Sequence, residues 1–161
     1  MTTYEFKNES EFKMWVMNSL AHDFGFDFEL HEDKRKAGIA DVSYGAYGIN
    51  GWIEFKFGNR AAFETAQPKW LTKRANAGGH VYVFIGFPDR SMTIYDCRRK
   101  EMYLLPIVDQ YLGAMARILT LPYPKLRPRP LLGYHVPHPV PLQDSPGWRD
   151  FLSVLDKTFP S

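Results

Sequence analysis

No stretch limits the folding of this chain more than "HVYVFIGF", residues 80–87. Beyond His80 it is β-branched, aromatic or glycine, so neither face suits water. It reads as a central strand buried on both sides. Just before it lies "NRAAFETAQPKWLTKRANAGG" (59–79). That segment predicts a helix beginning after Thr65, with Pro68 in its first turn and Gly78-Gly79 ending it. Trp70, Leu71 and Ala75 are its inward positions.

Upstream, Asn8 followed by Glu11 is a capping pair for a first helix running to about His22. Phe12, Trp15, Val16, Ser19 and Leu20 recur along it at helical spacing. "FDFELHED" (26–33) alternates Phe26, Phe28 and Leu30 with acidic residues, which predicts a half-exposed strand. "GIADVSYG" (38–45) and "GWIEFKFG" (51–58) predict two more, joined through "GAYGING" (45–51) with Asn50-Gly51 as the turn dipeptide. Downstream, "SMTIYDC" (91–97) and "EMYLLPI" (101–107) predict a last strand pair, and "VDQYLGAMARILTL" (108–121) an amphipathic helix. The order α-β-β-β-α-β, then ββα, predicts an α/β (α+β) fold with a mixed central β-sheet flanked by helices.

Eight of the twelve prolines fall between 122 and 146, where the chain must be extended. Leu, Tyr and Val within that stretch leave it able to pack across the core domain. "GWRDFLSVLDKTF" (147–159) predicts a short closing helix. The expected organisation is therefore a domain over 1–121 and a Pro-rich extension over 122–161.

With 161 residues, 45% apolar and 16% aromatic, the chain can bury a real core, which excludes a disordered protein. A single cysteine, Cys97, rules out an internal disulfide and fits a reducing compartment. There is no basic-then-apolar leader, and no apolar run nears the ~20 residues that cross a bilayer. A soluble cytoplasmic protein with no membrane partner is expected.

The net charge of +2 names no partner. From Lys125 onward there are five basic and three acidic residues, leaving fifteen of each in 1–121. Basic residues cluster within that neutral part, at Lys34, Arg35 and Lys36, at Lys56 and Arg60, at Lys69, Lys73 and Arg74, and at Arg98, Arg99 and Lys100. Nucleic acid, if bound, would meet a local patch. A solvated mixed-charge surface is the plain alternative. No G-x-x-x-x-G-K loop is present, so any ATP-driven motor would be a separate protein.

The chemistry is concentrated in "WIEFKFG" (52–58). In an extended chain Ile53, Phe55 and Phe57 point one way, towards a core, and Trp52, Glu54 and Lys56 the other. A carboxylate and an ammonium side by side on a strand are either a solvated outer pair, worth roughly a few tenths of a kcal/mol, or a site. Asp41 begins the preceding strand, and a hairpin through the glycine loop brings it close to Glu54. Two carboxylates together raise one pKa unless a cation lies between them. Mg²⁺ or Mn²⁺ suits such oxygens and keeps waters for a phosphate. A nearby lysine can orient the attacking water and offset charge developing on phosphorus.

These residues resemble the PD-(D/E)XK nuclease superfamily, and more narrowly its VRR-NUC branch of small, often phage-encoded nucleases. The resemblance covers about 9–87. It rests on "ESEFKMWVMNSLAHDFGF" (9–26) for a helix-one Glu and "KAGIAD" (36–41) for the G-x-P-D strand, with Ala40 in place of the usual proline. "IEFK" (53–56) supplies the E-x-K, and "TAQPKWLTKRANAGGHVYVF" (65–84) the glutamine, the Trp-Leu helix, the glycine pair and the apolar strand.

The resemblance implies a restriction-endonuclease-like core and a metal-dependent DNA endonuclease, structure-specific for branched DNA such as a Holliday junction. Asp41 and Glu54 would hold Mg²⁺ or Mn²⁺ together with the backbone carbonyl of Phe55, and Lys56 would act on the attacking water. Glu9 would reach the metal from helix one, with Glu11 as its rival, and Gln67 would position substrate or the lysine. Lys34, Arg35, Lys36, Lys69, Lys73 and Arg74 are the expected DNA phosphate contacts. A symmetric junction needs two cuts, so a homodimer is expected. Two alternatives stay open: a catalytically inactive nucleic-acid-binding phage accessory protein, and an end- or single-strand-directed nuclease. His31, Glu32 and Asp33 receive no role, and His135 and His138, without a third ligand, are read as coincidence. Tyr44 and Tyr47 are read as packing residues.

Overall fold

The computed structural model describes residues 4–31, 40–58, 66–121, 131 and 133–141. The elements are α1 (Glu9–Phe24), β1 (Asp27–Leu30), β2 (Val42–Ala46), β3 (Ile49–Phe57), α2 (Ala66–Asn76), β4 (His80–Gly86), β5 (Met92–Asp96), β6 (Glu101–Leu105), a 3₁₀ turn (Val108–Gln110) and α3 (Leu112–Leu119). The fold is α/β (α+β), built on a six-stranded mixed sheet in the order β1-β2-β3-β4-β5-β6. Every neighbouring pair is antiparallel except β3 and β4, which run parallel because α2 carries the chain across the sheet between them. Among the described residues no helix is long and apolar enough to cross a membrane.

Strand alternation divides the core. Ile53, Phe55, Tyr82 and Phe84 face one side and bury Phe12, Val16 and Leu20 of α1 together with Met115, Ile118 and Leu119 of α3. Val81, Val83 and Ile85 face the other side, against Leu71 and Ala75 of α2. β4 is thus buried on both faces, as its composition requires. Gly86 sets how closely α1 can approach, because a Cβ there would come within 2.5 Å of the Phe12 ring.

α1 is capped at both ends. Asn8 accepts a 2.8 Å hydrogen bond from the Glu11 N–H. Gly25, at φ +70, closes the other end, where the Phe26 N–H reaches back to the Leu20 carbonyl. The C-terminal carbonyls of α3 find their donors in the sheet: Tyr44 Oη–H donates to Leu119 O and Tyr82 Oη–H to Ile118 O. Tyr47 Oη–H donates to Phe24 O, so both tyrosines serve packing.

Three expectations are corrected. The β2–β3 turn is Tyr47-Gly48, with φ 54 and 81, and not Asn50-Gly51, which lies inside β3. Positive φ at both central residues is the hairpin turn whose twist suits paired strands. Gly51 is needed elsewhere, since a Cβ there would strike the Tyr44 ring at 2.5 Å. The helix expected over 108–121 is broken at Tyr111 into the 3₁₀ turn and α3. Its first turn is held by the Val108 N–H donating to Arg90 O. Helix one extends two residues past His22, to Phe24.

Arg90, nearly buried and at φ +70, joins four parts of the chain. Its Nε and Nη2 donate to the two oxygens of Asp109, each at 2.8 Å, and Nη1 donates to Tyr4 O. Its guanidinium lies 4.2 Å from the Phe6 ring centroid and 5.2 Å from that of Trp15.

The described part of the proline segment packs on the domain. Leu131 is fully buried in the α1/α3 core, and the Val140 N–H donates to Met102 O at the outer edge of the sheet. The closing helix expected over 147–159 lies outside the described residues.

Candidate active site

Asp41 sits one residue before β2, and the register Val42↔Ile53 places it opposite Glu54. Two hydrogen bonds lock the pair. The Asp41 N–H donates to Glu54 Oε1 at 3.0 Å, and the Phe55 N–H donates to Asp41 Oδ2 at 3.1 Å. Each carboxylate is therefore fixed by the main chain beside the other. Phe55 enters this pairing through its N–H, while its ring goes to the opposite face against Phe12 and Phe84.

Glu54 is only 1% exposed, so it belongs to no solvated outer pair. Lys56 Nζ stands 3.4 Å from Glu54 Oε2, itself largely covered. Burial, followed by the charge of Asp41, pushes the Glu54 carboxyl up to about 8. The Lys56 ammonium and the Asp41 N–H offset only part of that rise. Glu9, in the first turn of α1, is also raised, by burial first and by Asp41 second, with Lys56 and Lys13 acting in opposition. Glu54 and Glu9 thus share the field of this lysine, and the charge of Asp41 acts on both.

An excess of closely held carboxylate oxygens is the donor chemistry of a hard divalent cation. Among the described residues no group of three or more His, Cys, Asp or Glu side chains is assembled as a ready-made metal cage. Asp41 and Glu54 match the narrower requirement of Mg²⁺ or Mn²⁺, which use one or two carboxylates and leave other positions to water and substrate oxygens. These two residues would hold the ion.

The other expected site residues divide as follows. Gln67 lies in the first turn of α2, and its side chain is outside the described residues, as are Lys34, Arg35 and Lys36. Lys69 and Lys73 are exposed on α2. Arg74 is exposed too, but its guanidinium lies 5.7 Å from Trp52 and 5.2 Å from Trp70. Among the described residues, His135 and His138 face each other ring to ring, with centroids 6.5 Å apart.

His31, given no role from sequence, joins the site region. Its N–H donates to Asp41 O, its Nε2 lies 2.8 Å from Ser43 Oγ, and its ring centroid is 4.8 Å from that of Trp52. The only sequence signal for this aromatic group was Trp52 on the same strand face as Glu54.

No family model, no curated protein and no solved structure matches this chain.

Proposed function

We propose that this protein is a Mg²⁺- or Mn²⁺-dependent DNA endonuclease of the PD-(D/E)XK type, similar to the VRR-NUC branch and acting on branched DNA. The observation that carries the reading is the locking of the Glu54 carboxylate by the Asp41 N–H and of the Asp41 carboxylate by the Phe55 N–H, with Lys56 Nζ 3.4 Å from Glu54 in a largely water-excluded position. Such an arrangement is costly as mere packing, because a buried carboxylate beside another carboxylate lowers the stability of the fold. It is useful as a pre-set oxygen pair for a cation and a phosphate.

A bound divalent ion would supply charge neutralisation and Lewis acidity at the scissile phosphate. Within the chain, Asp41 and Glu54 hold their oxygens in place before substrate arrives. Lys56 carries donor hydrogens to where the attacking water and the phosphate oxygens would stand. Glu9 adds a third carboxyl from the N-terminus of α1, and exposed Lys69 and Lys73 offer phosphate contacts on α2. A homodimer would place two such sites on the two arms of a symmetric junction.

Labelled four-way, nicked, linear duplex and single-stranded DNA, incubated with Mg²⁺, Mn²⁺ or EDTA, test the reading beside Glu54→Gln. Metal-dependent cutting absent from the variant is the expected result, and the preferred DNA names the substrate. Binding without cutting under every metal would replace the enzyme with a catalytically inactive DNA-binding protein.

A further inference from the structure

Beside the carboxylate pair, on the same face of the sheet, lies a trough of about 420 Å³. Its floor is low because Ser43 and Gly45 of the middle strand are small. One wall carries Asp27 and Glu29 of β1, both exposed, and the other carries Trp52 and Arg74, with Asn50 at one end. The register aligns Glu29, Ser43 and Trp52 in one row across the strands, and Asp27, Gly45 and Asn50 in the next. Asp41 and Glu54 occupy the row on the other side of Ser43 and Trp52. Two residues of extended chain, about 7 Å, separate Trp52 from Glu54. The trough therefore begins where a scissile phosphate at the carboxylate pair would have its neighbouring nucleotide.

The walls specify what fits. The Arg74 guanidinium lies over the Trp52 ring, 5.7 Å from its centroid, and His31 packs on the same indole at 4.8 Å, so this wall presents a planar cation backed by aromatic rings, which suits a planar aromatic ring. The opposite wall offers carboxylate oxygens, which accept hydrogen bonds and repel phosphate. Asn50 can both donate and accept. A sugar-phosphate backbone laid along the trough would bring its charge against Asp27 and Glu29. A base laid there with its edge towards β1 would instead give its amino hydrogens to those carboxylates. The volume lies within the range of pockets that enclose small planar ligands.

We infer that this trough receives one unpaired nucleobase flanking the cut, packed against the Arg74 guanidinium that lies over Trp52 and held through its exocyclic amino group by Glu29 and Asp27. The inference rests on the nuclease reading and narrows it. The substrate must have a nucleotide free of its duplex at that position, as at a branch point or single-stranded flap. Thymine, which has no amino group, is the disfavoured base.

The test uses the full chain in EDTA, where cutting is suppressed, and fluorescein-labelled forked duplexes that differ in one unpaired nucleotide at the fork: cytosine, adenine, thymine or an abasic residue. Cytosine and adenine forks are expected to bind roughly tenfold more tightly than the thymine fork. The abasic fork should be weaker still by the loss of stacking. Glu29→Gln, at an exposed position, should bring cytosine and thymine to similar affinity, and Asp27→Asn serves as the second variant. Equal affinity for all four forks, or unchanged discrimination in both variants, would overturn the inference. Cleavage that needs Glu54 but ignores the unpaired base would leave the nuclease reading standing and remove this one. Loss of both binding and Glu54-dependent cleavage would remove both.

Discussion

Replacing Glu54 by Gln changes one charge while keeping an oxygen for the Asp41 N–H, and its effect on stability can be worked from the site. The Glu54 carboxyl goes from its ordinary 4.5 in the unfolded chain to about 8 in the folded one. Below pH 4.5 both states carry the proton, and Glu54 contributes no pH dependence. As pH rises above 4.5 the unfolded chain releases its proton while the folded chain keeps it. The folded state then binds more protons, so stability falls with pH until about 8, where both states are ionised. The raised folded value thus costs stability across that window, on the order of 5 kcal/mol over its full width at about 1.4 kcal/mol per unit. Gln cannot ionise and escapes the loss. Urea unfolding followed by tryptophan fluorescence, in EDTA and in steps from about pH 5 to 9, should show wild type losing ground to Glu54→Gln until about pH 8 and then running parallel to it. At pH 8 the variant should be the more stable protein, although it is expected to be inactive, the direction common at sites kept for function. Parallel curves throughout would mean that Glu54 is not held in a field hostile to its charge, and the electrostatic account of the site would fall.

Lys56→Met should lower the cleavage rate about 10²–10⁴-fold in single-turnover assays while leaving Mg²⁺ affinity little changed, since the lysine contributes donor hydrogens and no oxygen. Lys73→Ala should weaken binding to every DNA alike and flatten the plot of log affinity against log salt by about one ion. Arg90→Ala should cost about 3 kcal/mol in chemical denaturation, because it removes a nearly buried guanidinium that pairs with both oxygens of Asp109, donates to Tyr4 O and packs on the Phe6 ring. Arg90→Gly should cost about 1 kcal/mol less, because glycine adopts φ +70 without strain, and the reverse order would contradict the backbone reading. Gly86→Ala should destabilise by about 1–3 kcal/mol, measured the same way, as the Phe12 ring is driven off β4.

Much of the sheet could be read from residue order because strand alternation is strict. Trp52, Glu54 and Lys56 share a face in the structure as the period of two demands, and Asn8 caps α1 as its spacing to Glu11 suggests. The hairpin turn was misplaced because Asn-Gly is the stronger local signal, while register is decided by tertiary contacts. A turn at Asn50-Gly51 would pair Tyr47 with Glu54 and leave Asp41 without a partner on β3. The turn at Tyr47-Gly48 sets Val42 against Ile53 and lays the Tyr44 ring over Gly51. His31 was missed for a related reason. Its closeness to Asp41, Ser43 and Trp52 comes from β1 pairing antiparallel with β2, and no local motif marks it. The hydrogen bonds that fix Asp41 and Glu54 were equally invisible, since they depend on a one-residue overhang before β2.

The sequential order of the sheet bears on how the protein reaches its native state. Five strand pairings join neighbours in sequence, and three of them, β2–β3, β4–β5 and β5–β6, close by short antiparallel connections. Mixed sheets of this kind belong with α/β domains of intermediate folding speed. The longest closure is the crossing between β3 and β4, so two meanders can form locally before their parallel seam is made. Asp41, Glu54 and Lys56 all belong to the first meander. A hairpin formed first would carry the carboxylate pair open to water, and the desolvation of Glu54 would then fall to the step that closes the parallel seam with β4.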